Sequence, residues 1–455
     1  LTLVKRIMSR KTIAVPKEMS INEQCWRSVV LKFNIPSLEK CNEVKVWLSK
    51  ALIAVDCSAH VMVIAYYTKF VVLKKFNDSW DFAYEKNLSS TISAIRILSS
   101  SYDVSHGAFA TSEKLTSFFD RIFLLVGLQD GTMSAFSVYG SSCLFSLTIS
   151  FSAIKSVELC DKHVTVLCSD CFITLDRCRL MALATAALLK TETDSSWKPD
   201  FDSILYEKWC IPEMESVKSL VCLCSVRTNP WKSCLASGNP LPNYTFMAVG
   251  KDPLVTIYNS AGKVGQHYYN LYSAVSIALN TLYLTFSKKS QSNFWNDVLL
   301  RKLPSEIQAE LSLPVVSNSG ERISVGPGNC GLAVVYDSGR RIILLDVRNH
   351  LVLHVWSGYP DAQFGWLPLH DEASNCSHFI LLFVIFVPMK GKLEFWQLQN
   401  CRLIATMPVD PQGILISASH TVASTDQLPL CFLNMSGKYF FPYLQPDMCC
   451  KEKCC

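Results

Sequence analysis

Thiols are the most reactive groups this sequence carries in quantity. The chain holds 20 cysteines, and one pair, Cys168-Ser169-Asp170-Cys171, has the CxxC spacing shared by metal centres and dithiol redox sites. A zinc or redox role would need a second thiol pair, or histidines at matched spacing, so the pair is read as structural. Cys143, Cys168, Cys222, Cys224, Cys401 and Cys431 sit inside apolar stretches, where a reduced thiol behaves as a small hydrophobe. The run Cys449-Cys450-Lys451-Glu452-Lys453-Cys454-Cys455 is different. Paired thiols there suit acylation or a metal ion, but the reading adopted is an alternative or artefactual terminus cut off from a longer protein, and no CaaX ending is present.

Other reactive constellations are sparse. The 9 histidines are dispersed. His350, His354 and His370 lie near one another in sequence, on a predicted turn, strand and loop, and are read as satisfied surface groups rather than ligands. Asp371 and Glu372 are adjacent, so on an extended chain their side chains diverge instead of forming an acid/base pair. The sequence contains no GxSxG elbow, no HExxH, no GxxxxGK[ST] and no GxGxxG after a strand. Gly326-Pro327-Gly328 reads as a turn because no helix start follows it. No catalytic residue, cofactor or metal site is therefore assigned.

Recognition chemistry is better represented. Residues 358–366, GYPDAQFGW, concentrate aromatic side chains beside polar ones. Tyr359, Asp361, Gln363, Phe364 and Trp366 are the predicted partner-binding set, since aromatic anchors with polar neighbours make interface hot spots. The competing reading is that Phe364 and Trp366 plug a gap between two sheets. A second candidate surface is helical: Leu271, Val275, Leu279, Leu282 and Phe286 share one face, opposite Ser273, Ser276, Asn280 and Ser287. A helix with that uncharged polar face could lie shallowly in a membrane interface, or pack on the flank of the domain.

These groups need a scaffold, and the sequence repeats one. Residues 332–336, 341–346 and 351–356 read as three strands, with Asp337-Ser338-Gly339 as a turn in which Gly339 is free to take positive φ. Similar triples occur at 51–55, 61–65 and 70–73; at 122–127, 132–138 and 143–149, with Gln129-Asp130-Gly131 as the turn; and at 154–159, 164–168 and 172–175. Others are read at 246–249 and 254–258, at 379–387, 392–398 and 401–407, and at 414–418, 430–434 and 438–443. One meander cannot bury both faces alone, so repeated triples imply an all-β, mainly antiparallel β-propeller of about seven WD40-like blades. Helical insertions are expected near 176–191 and 271–313, the latter with a helix start at Pro304-Ser305-Glu306. The domain reading is a leader at 1–45, the propeller at 46–443 and a cysteine-rich tail at 444–455.

Composition fits a large core: 49% hydrophobic, 18% charged, mean hydropathy +0.21. The net charge of +5 is scattered, which argues against nucleic acid as the main partner. The apolar run from His378 to Val387 is too short to cross a membrane and is ended by Pro388. Lys5, Arg6, Arg10 and Lys11 interrupt any secretory signal, so a reducing cytoplasm is the expected setting, with peripheral contact at endoplasmic reticulum or vesicle membranes.

Residues 332–369, with ILLDVRNHLVLHVWSGYPDAQFGW at their heart, resemble the N-terminal region of the non-catalytic (regulatory) subunit of the Rab-3 GTPase-activating protein complex. The same family is matched in the same order by WLSKALIAVDCSAHVMVIA at 47–65, IFLLVGLQDGTMSAF at 122–136, 174–183, YEKWCIPEMESVKSLVCLCSV at 206–226 and VPMKGKLEFW at 387–396. The likeness spans most of 45–410. The family's acidic leader is not evident, and its long helical C-terminal part has no counterpart here. The resemblance implies a scaffold that pairs with a separate catalytic subunit, which supplies the arginine for GTP hydrolysis on Rab-3 proteins. It also implies association with nucleotide exchange on Rab-18 and with vesicle trafficking and exocytosis. The residues agree in one respect: nothing marks one arginine of this chain as a catalytic finger. The alternative is a generic propeller scaffold of a vesicle coat or tether. A propeller hydrolase with a channel carboxylate pair ranks last.

Overall fold

The computed structural model describes residues 26–30, 51–55, 61–76, 79–99, 122–160, 163–191, 206–226, 243–263, 304–314, 318–327, 330–370, 379–417, 430–433 and 438–442. Nearly all of them are strand. Within each sheet, consecutive strands pair antiparallel as neighbours, which is the pattern that short turns and period-2 patterning dictate.

The first sheet spans residues 52–87, the second 92–148, the fifth 320–357 and the sixth 363–408, each with four strands in chain order. An eight-stranded sheet contains the third unit, 154–210, and the fourth, 217–313. Each half is a four-stranded antiparallel meander. They are fused by one short parallel contact, Trp209 with Ser305 and Cys210 with Glu306. The structure is thus a propeller of six hydrogen-bonded sheets, which contain seven four-stranded units when the fused sheet is divided at that contact.

The last sheet is composite. Ile414–Ser417, Leu430–Leu433 and Lys438–Pro442 pair in order, and Trp26–Val30 adds the outer strand along Lys438–Pro442. Residues 26–30, which the sequence reading placed in a leader, therefore take part in a sheet.

The ring is visible in how first strands meet. Leu52–Val55 lies against Ile92–Ser99, Ile92–Ser99 against Ile154–Leu159, Ile154–Leu159 against Val217–Val226, and Val217–Val226 against Gly320–Val325. Gln363–His370 meets Ile414–Ser417, and Ile414–Ser417 returns to Leu52–Val55, which closes the circle. The core lies between sheets. One cluster joins the first and second units through Val63, Phe70, Ile97 and Phe136, another joins the third and fourth through Phe172, Trp209, Leu220 and Phe246, and another joins the fifth and sixth through Tyr336, Trp356, Trp366 and Phe383. Each sheet covers its neighbour's apolar face, so no unit can stay folded by itself.

Three expectations are corrected. Residues 305–313 are a strand, Ser305–Leu313, not a helix. Ile307, Ala309, Leu311 and Leu313 alternate with polar residues, and that period of two outweighs the helix-start signal at Pro304. Residues 363–370 are the first strand of the sixth sheet rather than part of a loop. The left-handed residue after Asp337 is Arg340, at φ 59°, and not Gly339. Gly339 serves a close approach instead, because a Cβ there would lie 2.9 Å from the Asn318 side-chain nitrogen. Each unit also holds a strand unread in sequence: the fourth in the first, third and last units, the first in the second, fifth and sixth, and both in the fourth.

The helix expected near 176–191 is present as Arg177–Thr191. Asp176 caps it, accepting from the Arg179 backbone N–H at 2.8 Å. Leu180, Leu183, Ala184 and Ala187 pack on the cluster between the second and third units. The predicted apolar face from Leu271 to Phe286 and the cysteine-rich tail lie outside the described residues.

Candidate functional site

The predicted recognition segment begins where the outermost strand of the fifth sheet, Leu351–Ser357, ends. Gly358 turns the chain at φ 80°, with open space where a Cβ would project. The Tyr359 backbone N–H then donates to the Arg340 carbonyl at 3.0 Å. Tyr336 pins the turn from below: its hydroxyl donates to the Tyr359 carbonyl at 3.1 Å and accepts from the Asp361 N–H at 3.0 Å. Asp361 holds φ 51° and is exposed.

The aromatic members of the set turn inward. Tyr359 is buried and its hydroxyl donates to Glu394 Oε2 at 2.7 Å. The Trp396 indole donates to the same oxygen at 3.2 Å, and Lys392 Nζ stands 2.6 Å from Oε1. Trp366 is 2% exposed, and its indole N–H donates to Ser324 Oγ at 2.8 Å. Phe364 sits half-buried with its ring centroid 5.8 Å from that of Phe383. Gln363 Oε1 accepts from the Leu415 N–H at 2.6 Å, tying the sixth sheet to the last one. Of the five residues, Tyr359, Phe364 and Trp366 therefore fill the seam between the fifth and sixth sheets, Gln363 ties the next seam, and Asp361 alone is exposed.

Electrostatics at the seam are set by Glu394. Burial by itself would raise its carboxyl, but hydrogen bonds from Lys392 and Tyr359 outweigh that and hold it below the ordinary value. Burial, and then the bond to Glu394, push the Tyr359 hydroxyl upward, so it stays protonated and donates. A folded-state value below the unfolded one means that ionised Glu394 stabilises the fold above the ordinary carboxyl range, and that this contribution is lost as pH falls through the lowered value. Tyr359→Phe removes a donor to the carboxylate. It should cost about 1–3 kcal/mol at neutral pH and move the acid-unfolding limb to higher pH. Thermal melts at stepped pH check this; an unmoved acid limb would show that the bond does not hold the carboxylate.

The three histidines are spread apart in role. His350 is an exposed turn residue at φ 55°. His354 meets Trp356 edge to face, ring centroids 4.6 Å apart, with Trp396 at 6.4 Å, and burial lowers its pKa. His370 lies on a strand.

A surface that sequence reasoning missed adjoins this seam. Leu351–Ser357 is the outermost strand of its sheet, so one edge has no strand partner among the described residues. Yet its side chains are apolar: Leu351 is 48% exposed, Val352 48%, Leu353 36% and Val355 42%. Met389, 76% exposed, is a further apolar side chain in the segment that follows the next long strand. Exposed edge strands are ordinarily blunted by charge, so an apolar one marks a contact surface. The signal was present in sequence: LVLHVW has apolar residues on both faces, as a doubly covered strand would, but stands last in its sheet.

No helix among the described residues is long and apolar enough to cross a membrane. Among solved structures, the chain is similar to the WD40 β-propeller domain of Doa1, with 10% identity, 85% of this chain and 90% of that chain covered, and a TM-score of 0.44. It is also similar to a chain of the mitotic checkpoint complex, with 10% identity, 95% and 99% covered, and a TM-score of 0.45. The family model described as the Rab3 GTPase-activating protein regulatory subunit N-terminus matches residues 47–416, from the first sheet into the last. With most of its length so matched, the chain belongs to the family of Rab3 GTPase-activating protein regulatory subunits, as their N-terminal region.

Proposed function

We propose that this chain is a non-catalytic scaffold that binds the catalytic subunit of a Rab GTPase-activating complex and regulates GTP turnover on Rab-3 and Rab-18 proteins in vesicle trafficking. The family match over residues 47–416 carries the reading. The ring supports it physically, because sheets locked by interdigitated aromatics make a rigid platform whose edges and loops are free for docking. The working site is cytoplasmic, at the surface of endoplasmic reticulum or vesicle membranes.

The catalytic subunit is the occupant we assign to the exposed edge of Leu351–Ser357. Its open backbone edge and apolar side chains suit an added strand from that subunit, with the alternating side chains giving selectivity. The test is capture of the purified catalytic subunit by the tagged chain, followed by Rab GTP hydrolysis with and without the captured pair. Val352→Lys with Val355→Lys should lower capture on the order of tenfold or more, with the melting temperature unchanged. Undiminished capture by that variant moves docking elsewhere. A chain that captures no catalytic subunit, or hydrolyses GTP unaided, ends the scaffold reading.

A further inference from the structure

The CxxC pair acquires in three dimensions the partners it lacked in sequence. Cys168 and Cys171 close a two-residue hairpin turn, with the Cys168 N–H donating to the Cys171 carbonyl at 2.8 Å. Both are almost fully buried, Cys168 at 0% and Cys171 at 1% exposure. The Asp170 side chain comes back over the turn, so that a carboxylate oxygen and the two sulfurs all lie within 4.8 Å of one another. Two hydroxyls fix that carboxylate: Ser150 Oγ donates to Oδ1 at 2.7 Å and stands 2.9 Å from Oδ2, and Ser152 Oγ donates to Oδ1.

The next strand brings a third thiol. Phe172 pairs with Trp209, so the position after Trp209, Cys210, falls opposite Cys171. Cys210 Sγ lies 3.9 Å from the Asp170 carbonyl oxygen, beside the cluster of Cys168, Asp170 and Cys171 donor atoms but outside it. Cys210 in turn pairs with Glu306, at the parallel contact that fuses the third unit to the fourth.

The surroundings are cationic. Lys208, 7% exposed, makes no side-chain hydrogen bond or ion pair among the described residues, and its charge acts on Asp170 and Cys171. Lys155 acts likewise on Cys168, while its ammonium donates to the carbonyls of Val217 at 2.9 Å and Glu215 at 3.2 Å in the fourth unit.

We propose that Cys168, Cys171, Asp170 and Cys210 form a binding site for a thiophilic divalent cation, zinc by ligand chemistry, which staples the hairpin to the seam between the third and fourth units. Two sulfurs and the carboxylate oxygen of exposed Asp170 are already gathered, and rotation of the Cys210 side chain would bring the third sulfur and complete the four donors of a structural zinc site, with Zn–S near 2.3 Å. Ser150 and Ser152 orient the carboxylate from the second layer, and Lys155 and Lys208 offset the excess negative charge. Binding displaces one proton from each thiol to solvent and involves no oxidation.

The test uses the purified full chain. Elemental analysis should find about one zinc per chain, and exchange for cobalt should give a thiolate-to-cobalt charge-transfer band with tetrahedral d–d absorption. Cys171→Ser and Cys210→Ser should each lose the band. Asp170→Asn is the gentler variant should those fail to fold, and it should weaken cobalt binding by about 10–100-fold. Cys143→Ser, and a chain with Cys449, Cys450, Cys454 and Cys455 changed to Ser, should keep metal and band. A metal-free chain with no charge-transfer band on cobalt titration overturns the proposal. So does loss of metal with the tail cysteines, or a Cys168–Cys171 disulfide in protein isolated under reducing conditions.

Discussion

Trp366→Ala should lower the stability of the domain by about 3–5 kcal/mol, the range for emptying a buried indole site. The side chain is 2% exposed and stands with its ring centroid 5.2 Å from that of Phe383. Trp356 stacks on the same Phe383 at 5.4 Å, so the hole would open inside a continuous aromatic layer between the fifth and sixth sheets. Close-packed cores relax only partly around such a void. The variant also leaves Ser324 without the indole donor that joins the two first strands, at 2.8 Å in the native chain. Trp366→Phe keeps most of the volume but drops that bond, and should cost clearly less. Denaturant titration measures both; the midpoint should fall with little change in slope. The comparison also separates two roles. A packing residue shifts stability and leaves capture of the catalytic subunit intact at low temperature. Weakened capture with an unchanged midpoint would make Trp366 a docking residue and overturn its placement in the seam.

That contrast shows what the sequence made legible. Strand triples were readable because each strand shows its own period and each turn its own chemistry, as at Gln129-Asp130-Gly131, where Gly131 takes φ 82° and a Cβ would lie 2.0 Å from the Ser150 carbonyl oxygen. The strand that completes each unit, first in some and fourth in others, was not. Ser79–Asn87 and Ser305–Leu313 are polar and half-exposed, so burial leaves a weaker mark on them. The pairing of Trp26–Val30 with Lys438–Pro442 links segments separated by almost the whole chain, which no local pattern encodes. The candidate site was half legible for the same reason. An aromatic-rich segment such as residues 358–366 announces importance, but identical side chains serve a seam or a surface. Only the direction in which Tyr359 and Trp366 point decides between them. Nor could spacing show Cys210 opposite Cys171, since their strands are joined through the 177–191 helix and residues beyond it.

Asp337→Ala should be nearly as damaging, about 3 kcal/mol, through charge rather than volume. Asp337 is fully buried at the end of the strand Leu332–Asp337. One carboxylate oxygen accepts from the Arg341 backbone N–H at 2.9 Å, and the other accepts from the Arg341 Nε at 2.7 Å, with Nη2 at 2.6 Å. The side chain thus closes the turn that carries Arg340 in its left-handed conformation, and neutralises the cation that begins the next strand. Removing it orphans a backbone donor and a guanidinium whose side chain is 31% exposed. That partial access to water keeps the cost at the low end of the range for breaking a buried pair. Asp337→Asn retains an acceptor of the same shape without the charge and should lose roughly half as much. Arg341→Ala tests the pair from the other side. It strands a carboxylate with no access to water, so it should destabilise at least as much as Asp337→Ala although Arg341 is the more exposed partner. A double-mutant cycle over the two positions should return a coupling of about 1–3 kcal/mol. Additive single effects would mean that the turn is held by its backbone alone and that the ion pair contributes nothing to the fifth sheet.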